Sequence, residues 1–433
     1  MILNLTKVSI LGLAAMMYAG CGSTETQQPA NNSPKKPIHK KIRPVGGGVK
    51  PPKPPKPAAR EKDLAAQRAL TSKFLQEASK EAVASAFPIN FKFGLMHGEP
   101  AEEREGGQQF IVTGTSVSDG DLDVSNVVPG GWAGQSGMVI KYRSTCGVGD
   151  KVNPLVRNFV FMRAIKGIEA EVRKRSDEVA LTPGPLVVSS QGKLPAKFAR
   201  DFVKGLASPM DFSRCVEADY RFLIMEQVGV SLRKYFEDEK SVPLDNAILL
   251  MGNTINVLRV LHGFGVVHGD VHWGNALLLG ASDGDGSVVL VDFDQSRFVD
   301  DAKLAGGPPS VSGKSAPEYL SPNELGGDAK YVPTYADDIY RAYEMVGALL
   351  RGPSFYDSLR SKQGSALGEA KKRSNWFVSA ESRDLINKIP ELNAAIQAFH
   401  ATVHEGLKSP NAMPDHDKLL SLVTKMLTAL EEE

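Results

Sequence analysis

Two apolar runs, each ending in polar residues, constrain this chain more than any other feature. Val266-Val267 leads into His268-Gly269-Asp270-Val271-His272-Trp273-Gly274-Asn275 and then Ala276-Leu277-Leu278-Leu279. Further on, Val288-Val289-Leu290-Val291 delivers Asp292-Phe293-Asp294. Short apolar runs bounded by polar residues read as buried strands. The pair therefore predicts a hairpin that gathers Asp270, Asn275 and Asp292 at one mouth. A carboxylate able to orient a hydroxyl, beside an Asn and an Asp able to hold magnesium, is the set that phosphoryl transfer needs.

In order and spacing these residues resemble the protein-kinase family, whose catalytic loop reads H-x-D-x-x-x-x-N and whose metal loop reads D-F-G. The third position of the metal loop is Asp294 here. The resemblance implies an α+β, bilobal fold, with a small β-rich lobe over residues 110–230 and a larger helical lobe over 231–433. ATP and Mg2+ would bind between the lobes. Asp270 would be the catalytic carboxylate, with Asn275 and Asp292 as metal ligands and His268 packed beneath the metal loop. His272 stands where kinases carry a Lys near the transferred phosphate, and would act as a donor and, when protonated, a cation. The sequence H-G-D-x-H-x-x-N also resembles small-molecule phosphotransferases of the aminoglycoside and choline kinase type.

Upstream, the resemblance assigns further roles. Met138-Val139-Ile140-Lys141 reads as a strand whose Lys141 would bind the α- and β-phosphates. Phe110-Ile111-Val112-Thr113-Gly114 reads either as the start of a phosphate-covering loop at Gly114 or as an ordinary hairpin, because no G-x-G-x-x-G follows. Apolar spacing predicts a helix over residues 153–168, where Asn158 takes the place of the Glu that pairs with the strand Lys; Glu169 and Glu171 lie too far along to substitute. Tyr220 to Glu226 reads as the fifth strand of the small lobe, with Met225 as gatekeeper. The Glu226 carbonyl and Val228 amide would then face adenine.

Downstream, Ser315-Ala316-Pro317-Glu318-Tyr319-Leu320-Ser321-Pro322-Asn323 resembles the end of an activation segment, with Asn323 replacing the Glu of A-P-E. Tyr319 and Leu320 are the expected packing points. Asp338, within Tyr335-Ala336-Asp337-Asp338-Ile339-Tyr340, should be the buried carboxylate beneath the catalytic loop. These two stretches favour a protein substrate over a small molecule.

The N-terminus reads differently. Lys7, the apolar run Val8 to Met17 and Ala19-Gly20 have the shape of a cleaved signal peptide over residues 1–20, which predicts secretion. Tyr18-Ala19-Gly20-Cys21 offers lipid anchoring through Cys21 as the alternative. Residues 21–62 form a basic, Pro-rich linker able to touch acidic surfaces, and 63–109 a helical extension, with its helix expected over 61–86. A net charge of +1 over 433 residues argues against a nucleic-acid partner, and no membrane span is expected in the mature chain. Cys146 and Cys215 could pair or stay free. The expected function is an ATP-dependent protein kinase acting on Ser or Thr. The alternatives are a small-molecule or sugar phosphotransferase and a pseudokinase scaffold.

Overall fold

The computed structural model describes residues 57–84, 109–114, 138–144, 154–174, 180–192, 220–226, 228–236, 242–279, 287–300, 317–327, 331–352, 354–362 and 364–433. The signal-like segment, the arm before Pro57, the stretch after Gly114, Cys146, Cys215 and the serines before Pro317 lie outside them. So do the side chains of Lys141 and its strand neighbours.

Helix α1 (Pro57–Ala84) starts inside the stretch expected to be linker, with Pro57 as its first residue. Proline is tolerated there because the first-turn N–H has no helical partner. The small lobe is an antiparallel sheet of β1 (Gln109–Gly114), β2 (Met138–Ser144), β3 (Pro185–Gly192) and β4 (Tyr220–Glu226), ordered β1-β2-β4-β3. Four strands are present among the described residues, so the stretch expected as a fifth strand is the fourth here. Lys141 sits opposite Ile111 on one side and Leu223 on the other.

Helix α2 (Pro154–Arg173), between β2 and β3, runs further than the apolar spacing predicted and takes in Glu169 and Glu171. Helix α1 lies along it through Leu75, Ala78 and Ala82, all buried. The approach is close: a Cβ at Gly167 would lie 3.0 Å from the Phe74 ring. The expectation that α1 extends the small lobe is met, and α1 also reaches the large lobe. Thr71 Oγ1 donates to the Phe264 carbonyl at 2.7 Å, and Arg68 pairs with Asp300 at 3.2 Å.

After β4 the chain passes β5 (Val230–Ser231) and the short α3 (Leu232–Tyr235) into α4 (Leu244–Gly263). Strands β6 (Val266–Val267), β7 (Ala276–Leu278), β8 (Val288–Leu290) and β9 (Arg297–Phe298) follow. The anticipated hairpin is β7 against β8, antiparallel with Leu277 opposite Val289. Strand β6 pairs with β9, so both motif loops hang from one pair of ladders. The remainder is helical: α5 (Pro322–Gly326), α6 (Tyr335–Arg351), α7 (Ser354–Arg360), α8 (Gly364–Arg373), α9 (Ala380–Lys388), α10 (Pro390–Lys408) and α11 (His416–Glu431). Pro390 is the first residue of α10, just after α9 ends at Lys388.

Helix α6 is the core element. Every residue from Tyr335 to Leu350 is buried, including Asp337, Asp338, Arg341 and Glu344. A helix buried all round must pair its charges, because an unpaired buried ion is costly. Those pairs organise the site.

Candidate active site

The catalytic loop is held by its own backbone. Asp338 Oδ2 accepts the His268 N–H at 2.7 Å, and Oδ1 accepts that of Gly269 at 2.8 Å. His262 Nε2 lies 3.1 Å from the same carboxylate. Burial alone would raise the Asp338 carboxyl, but the His262 hydrogen bond and these amides outweigh it and hold it below its usual value. Gly269 has φ +80°, and a Cβ there would stand 2.5 Å from the Gln295 carbonyl oxygen. The missing side chain is thus a steric requirement, since left-handed backbone against another backbone suits only glycine.

His268 joins the two motif loops. The Asp270 N–H donates to Nδ1 at 3.1 Å, so the proton sits on Nε2 and donates to the Val291 carbonyl at 3.0 Å. Burial lowers its pKa and keeps the ring neutral. Its ring packs on Phe293, centroids 4.6 Å apart, as expected of a residue beneath the metal loop. Asp292 follows with φ 68° and ψ 63°, the only non-glycine residue at positive φ among the described residues. Such conformations cost of order 1 to 3 kcal/mol and persist where the surroundings enforce them, often at functional sites.

Asp270 is 3 % exposed. Asn275 Nδ2 donates to its Oδ2 at 3.1 Å and to its backbone carbonyl at 2.9 Å. His272 Nδ1 accepts the Gly274 N–H at 3.0 Å, which puts the ring proton on Nε2. That buried nitrogen has no hydrogen-bond partner among the described residues and lies 3.7 Å from Asp270 Oδ2, beyond hydrogen-bond length. The ring stacks on Tyr319, centroids 4.6 Å apart, so the catalytic loop touches the substrate-side segment.

Asn158, on α2, faces the metal loop. Its Oδ1 accepts the Phe293 N–H at 3.1 Å, and its Nδ2 lies 3.4 Å from Asp292 Oδ1. Its neighbour Arg157 donates to the Ser296 carbonyl through Nε at 2.9 Å. Burial pushes that guanidinium down to about 10 against the opposing charge of Asp294. Glu169 is latched elsewhere, accepting the Leu181 and Thr182 amides at 2.7 and 3.0 Å, consistent with its exclusion as the Lys141 partner. Gly114 ends β1, and Glu226 ends β4 with its side chain accepting the Gly184 N–H at 2.7 Å; Val228 lies two residues further on. Asn275 and Asp292 offer hard oxygen donors, which suit Mg2+, an ion usually held by one or two carboxylates together with substrate phosphates. No group of three or more His, Cys, Asp or Glu able to hold a metal occurs among the described residues.

Asn323, at the A-P-E position, donates its side chain to the Leu407 carbonyl at 2.8 Å, and the next residue, Glu324, pairs with Arg341. Ser321 caps α5 and Glu324 closes the capping box, its Oε2 accepting the Ser321 N–H at 2.7 Å. From there Glu324 meets Arg341 of α6 in a forked pair at 2.6 and 3.0 Å. The S-x-x-E spacing was the available signal. Arg341 Nη1 also donates to Asp270 Oδ1 at 3.0 Å, a contact that motif reading missed. Burial by itself would lower the Arg341 pKa; Glu324 and Asp270 reverse that and raise it.

Lys371 was missed as well. Fully buried on α8, it pairs with Glu344 at 2.7 Å and donates to the carbonyls of Glu318 and Leu320 at 2.9 and 2.6 Å. Arg360 pairs with Glu318, and Ser321 Oγ donates to Asp337. Tyr319 packs on Tyr356 at 4.5 Å. The segment 317–324 is thereby fixed to the helical lobe.

Asp270, bonded to Asn275 and Arg341 and joined through His268 to the loop that bears Asp292, lies beside the fixed 317–324 segment, an arrangement of the phosphotransferase type. A family model described as "Protein kinase domain" matches residues 211–432, half of the chain, and the chain belongs to that family. Its relatives include a protein named "Serine/threonine-protein kinases drp72" from Corynebacterium efficiens, 29 % identical over 170 residues. That alignment covers 38 % of this chain and 30 % of the relative. "Serine/threonine-protein kinases PknA" from Corynebacterium glutamicum is 31 % identical over 172 residues, 38 % of this chain and 34 % of the relative. The chain thus spans about a third of the length of these curated relatives.

Proposed function

We propose that this protein transfers the γ-phosphate of ATP to a Ser or Thr hydroxyl of a protein substrate. The observation that carries the reading is the buried Asp270 carboxylate, hydrogen-bonded to Asn275 and joined through His268 to the loop that bears Asp292. Asp270 orients the attacking hydroxyl and accepts its proton. His272 Nε2–H lies beside that carboxylate with its donor capacity unspent, suited to the transferred phosphate. Asn275 and Asp292 would hold magnesium, which when bound neutralises charge on the phosphates. Lys141 would take the α- and β-phosphates, and the Glu226 carbonyl and Val228 N–H the adenine. Catalysis is then positioning and charge neutralisation with no covalent step on the protein.

A protein substrate is favoured because the 317–324 segment is built as a rigid ledge against the catalytic loop, and a small-molecule phosphotransferase would not need one. A binding scaffold would not need Asp270, Asn275 and Asp292 together. The test is transfer of labelled γ-phosphate to a generic protein substrate, with two variants. Asp292→Ala should lose magnesium-dependent nucleotide affinity, while Asp270→Asn should bind nucleotide as the parent does and lose transfer by about a thousandfold or more. Parent-like turnover by both variants would remove the assignment, and a parent that binds no nucleotide would favour the scaffold.

A further inference from the structure

Arg341 reaches the reacting end of the molecule from the middle of α6, the most buried helix of the fold. It makes three donations, two to Glu324 on the substrate-side segment and one to Oδ1 of Asp270. A carboxylate with one oxygen bonded to Asn275 and the other to Arg341 cannot rotate without breaking a charge-assisted bond. The guanidinium is planar, so the direction of its Nη1 is set by the forked pair with Glu324. Glu324 is in turn fixed as the capping residue of α5.

We propose that Arg341 is a positioning residue for phosphoryl transfer, aiming the Asp270 carboxylate and tying that aim, through Glu324, to the seating of the substrate-side segment. The inference rests on the proposed role of Asp270 as the group that orients the hydroxyl. In this arrangement the base is aligned only while the 321–324 turn is docked, so the ledge that receives the substrate also sets the geometry of the reaction. The His272–Tyr319 stack joins the same two segments and leaves the direction of the carboxylate to Arg341.

The experiment uses the full chain and measures urea stability, Mg·ATP affinity, KM for a protein substrate and kcat. Arg341→Met alone strands Glu324, so the informative variant is Arg341→Met/Glu324→Met, which removes both partners and can restore packing. It should be more stable than Arg341→Met alone, although Asp270 still lacks its Arg341 bond and α5 its capping residue, keep Mg·ATP affinity and KM within about threefold, and still lose about thirtyfold or more in kcat, because alignment is a transition-state property. Arg341→Lys serves if the double variant does not fold. It keeps the charge, but a single ammonium cannot hold the fork and Asp270 together. It should lose about tenfold in kcat at constant KM. A stable double variant or a Lys variant with parent-like kcat overturns the proposal, as does a loss carried by KM. A parent that transfers no phosphate overturns the proposed function itself and is seen before any variant is compared.

Discussion

The helical lobe holds two segments in two different ways. The catalytic loop is held by its backbone: Asp338 accepts the amides of His268 and Gly269, so the grip does not depend on the loop's side chains. The substrate-side segment is held largely through charged side chains: Glu324 on Arg341, Glu318 on Arg360, and Lys371 reaching two carbonyls from a pair with Glu344. A backbone grip fixes geometry and leaves side chains free for chemistry. A side-chain grip is modular, because both partners of a buried ion pair can be exchanged for apolar residues with little loss, whereas removing one is costly.

The largest effect should come from the backbone grip. Asp338→Ala orphans two buried amides and the His262 ring nitrogen, and should cost about 5 kcal/mol at roughly 1 to 3 per unsatisfied group. Urea denaturation measures it; a loss below about 2 kcal/mol would mean that water or a neighbour replaces the carboxylate. Lys371→Met comes next, with an expected loss of about 3 kcal/mol from a stranded Glu344. Lys371→Met/Glu344→Leu should recover the part due to the stranded Glu344, leaving the cost of the Glu318 and Leu320 carbonyls that lose a donor. Failure to recover would place the substrate-side segment in the same class as the catalytic loop.

The smallest effect tests whether the charged grip suffices without a modification. In many protein kinases an Arg before the catalytic Asp receives a phosphate from the activation segment. Here that position is Gly269, closed to any side chain by the Gln295 carbonyl. A phosphate orders a loop only where a cation waits for it. The Ser310/Ser312/Ser315→Ala triple variant and phosphatase-treated protein should therefore stay within about threefold of the parent in kcat/KM. A loss beyond about tenfold would reveal a receiving site elsewhere.

Legibility in the sequence followed the distance over which each feature is decided. The β7–β8 hairpin and the Asp270–Asn275 contact arise between neighbouring stretches, where spacing translates directly into geometry, and the His268 packing joins the two motif loops that these stretches carry. Asp338 was legible from its neighbours in a patterned helix. Arg341 was not, although its place three residues after Asp338 in a helix with apolar residues on all sides marks a buried charge. Its partners lie 17 and 71 residues away, at Glu324 and Asp270, and no local rule joins them. The contact of Asn158 with the metal loop, through Phe293 N–H, was not legible either, because it joins residues on distant elements. The second contact of α1, on the large lobe, could not be read from a pattern that shows only which residues are apolar.

The sequence by itself determined the class of chemistry, because the Asp270, Asn275 and Asp292 set and its strand flanks are local patterns with few other uses. It also determined the helical content of the large lobe, which apolar spacing and proline breaks dictate. Tertiary structure alone decided how the base is held and how the ledge is fixed. Those depend on Arg341 and Lys371 meeting carboxylates and carbonyls from distant helices in a space without water. There the cost of leaving a charge unpaired, rather than any propensity of the residue, selects the partner.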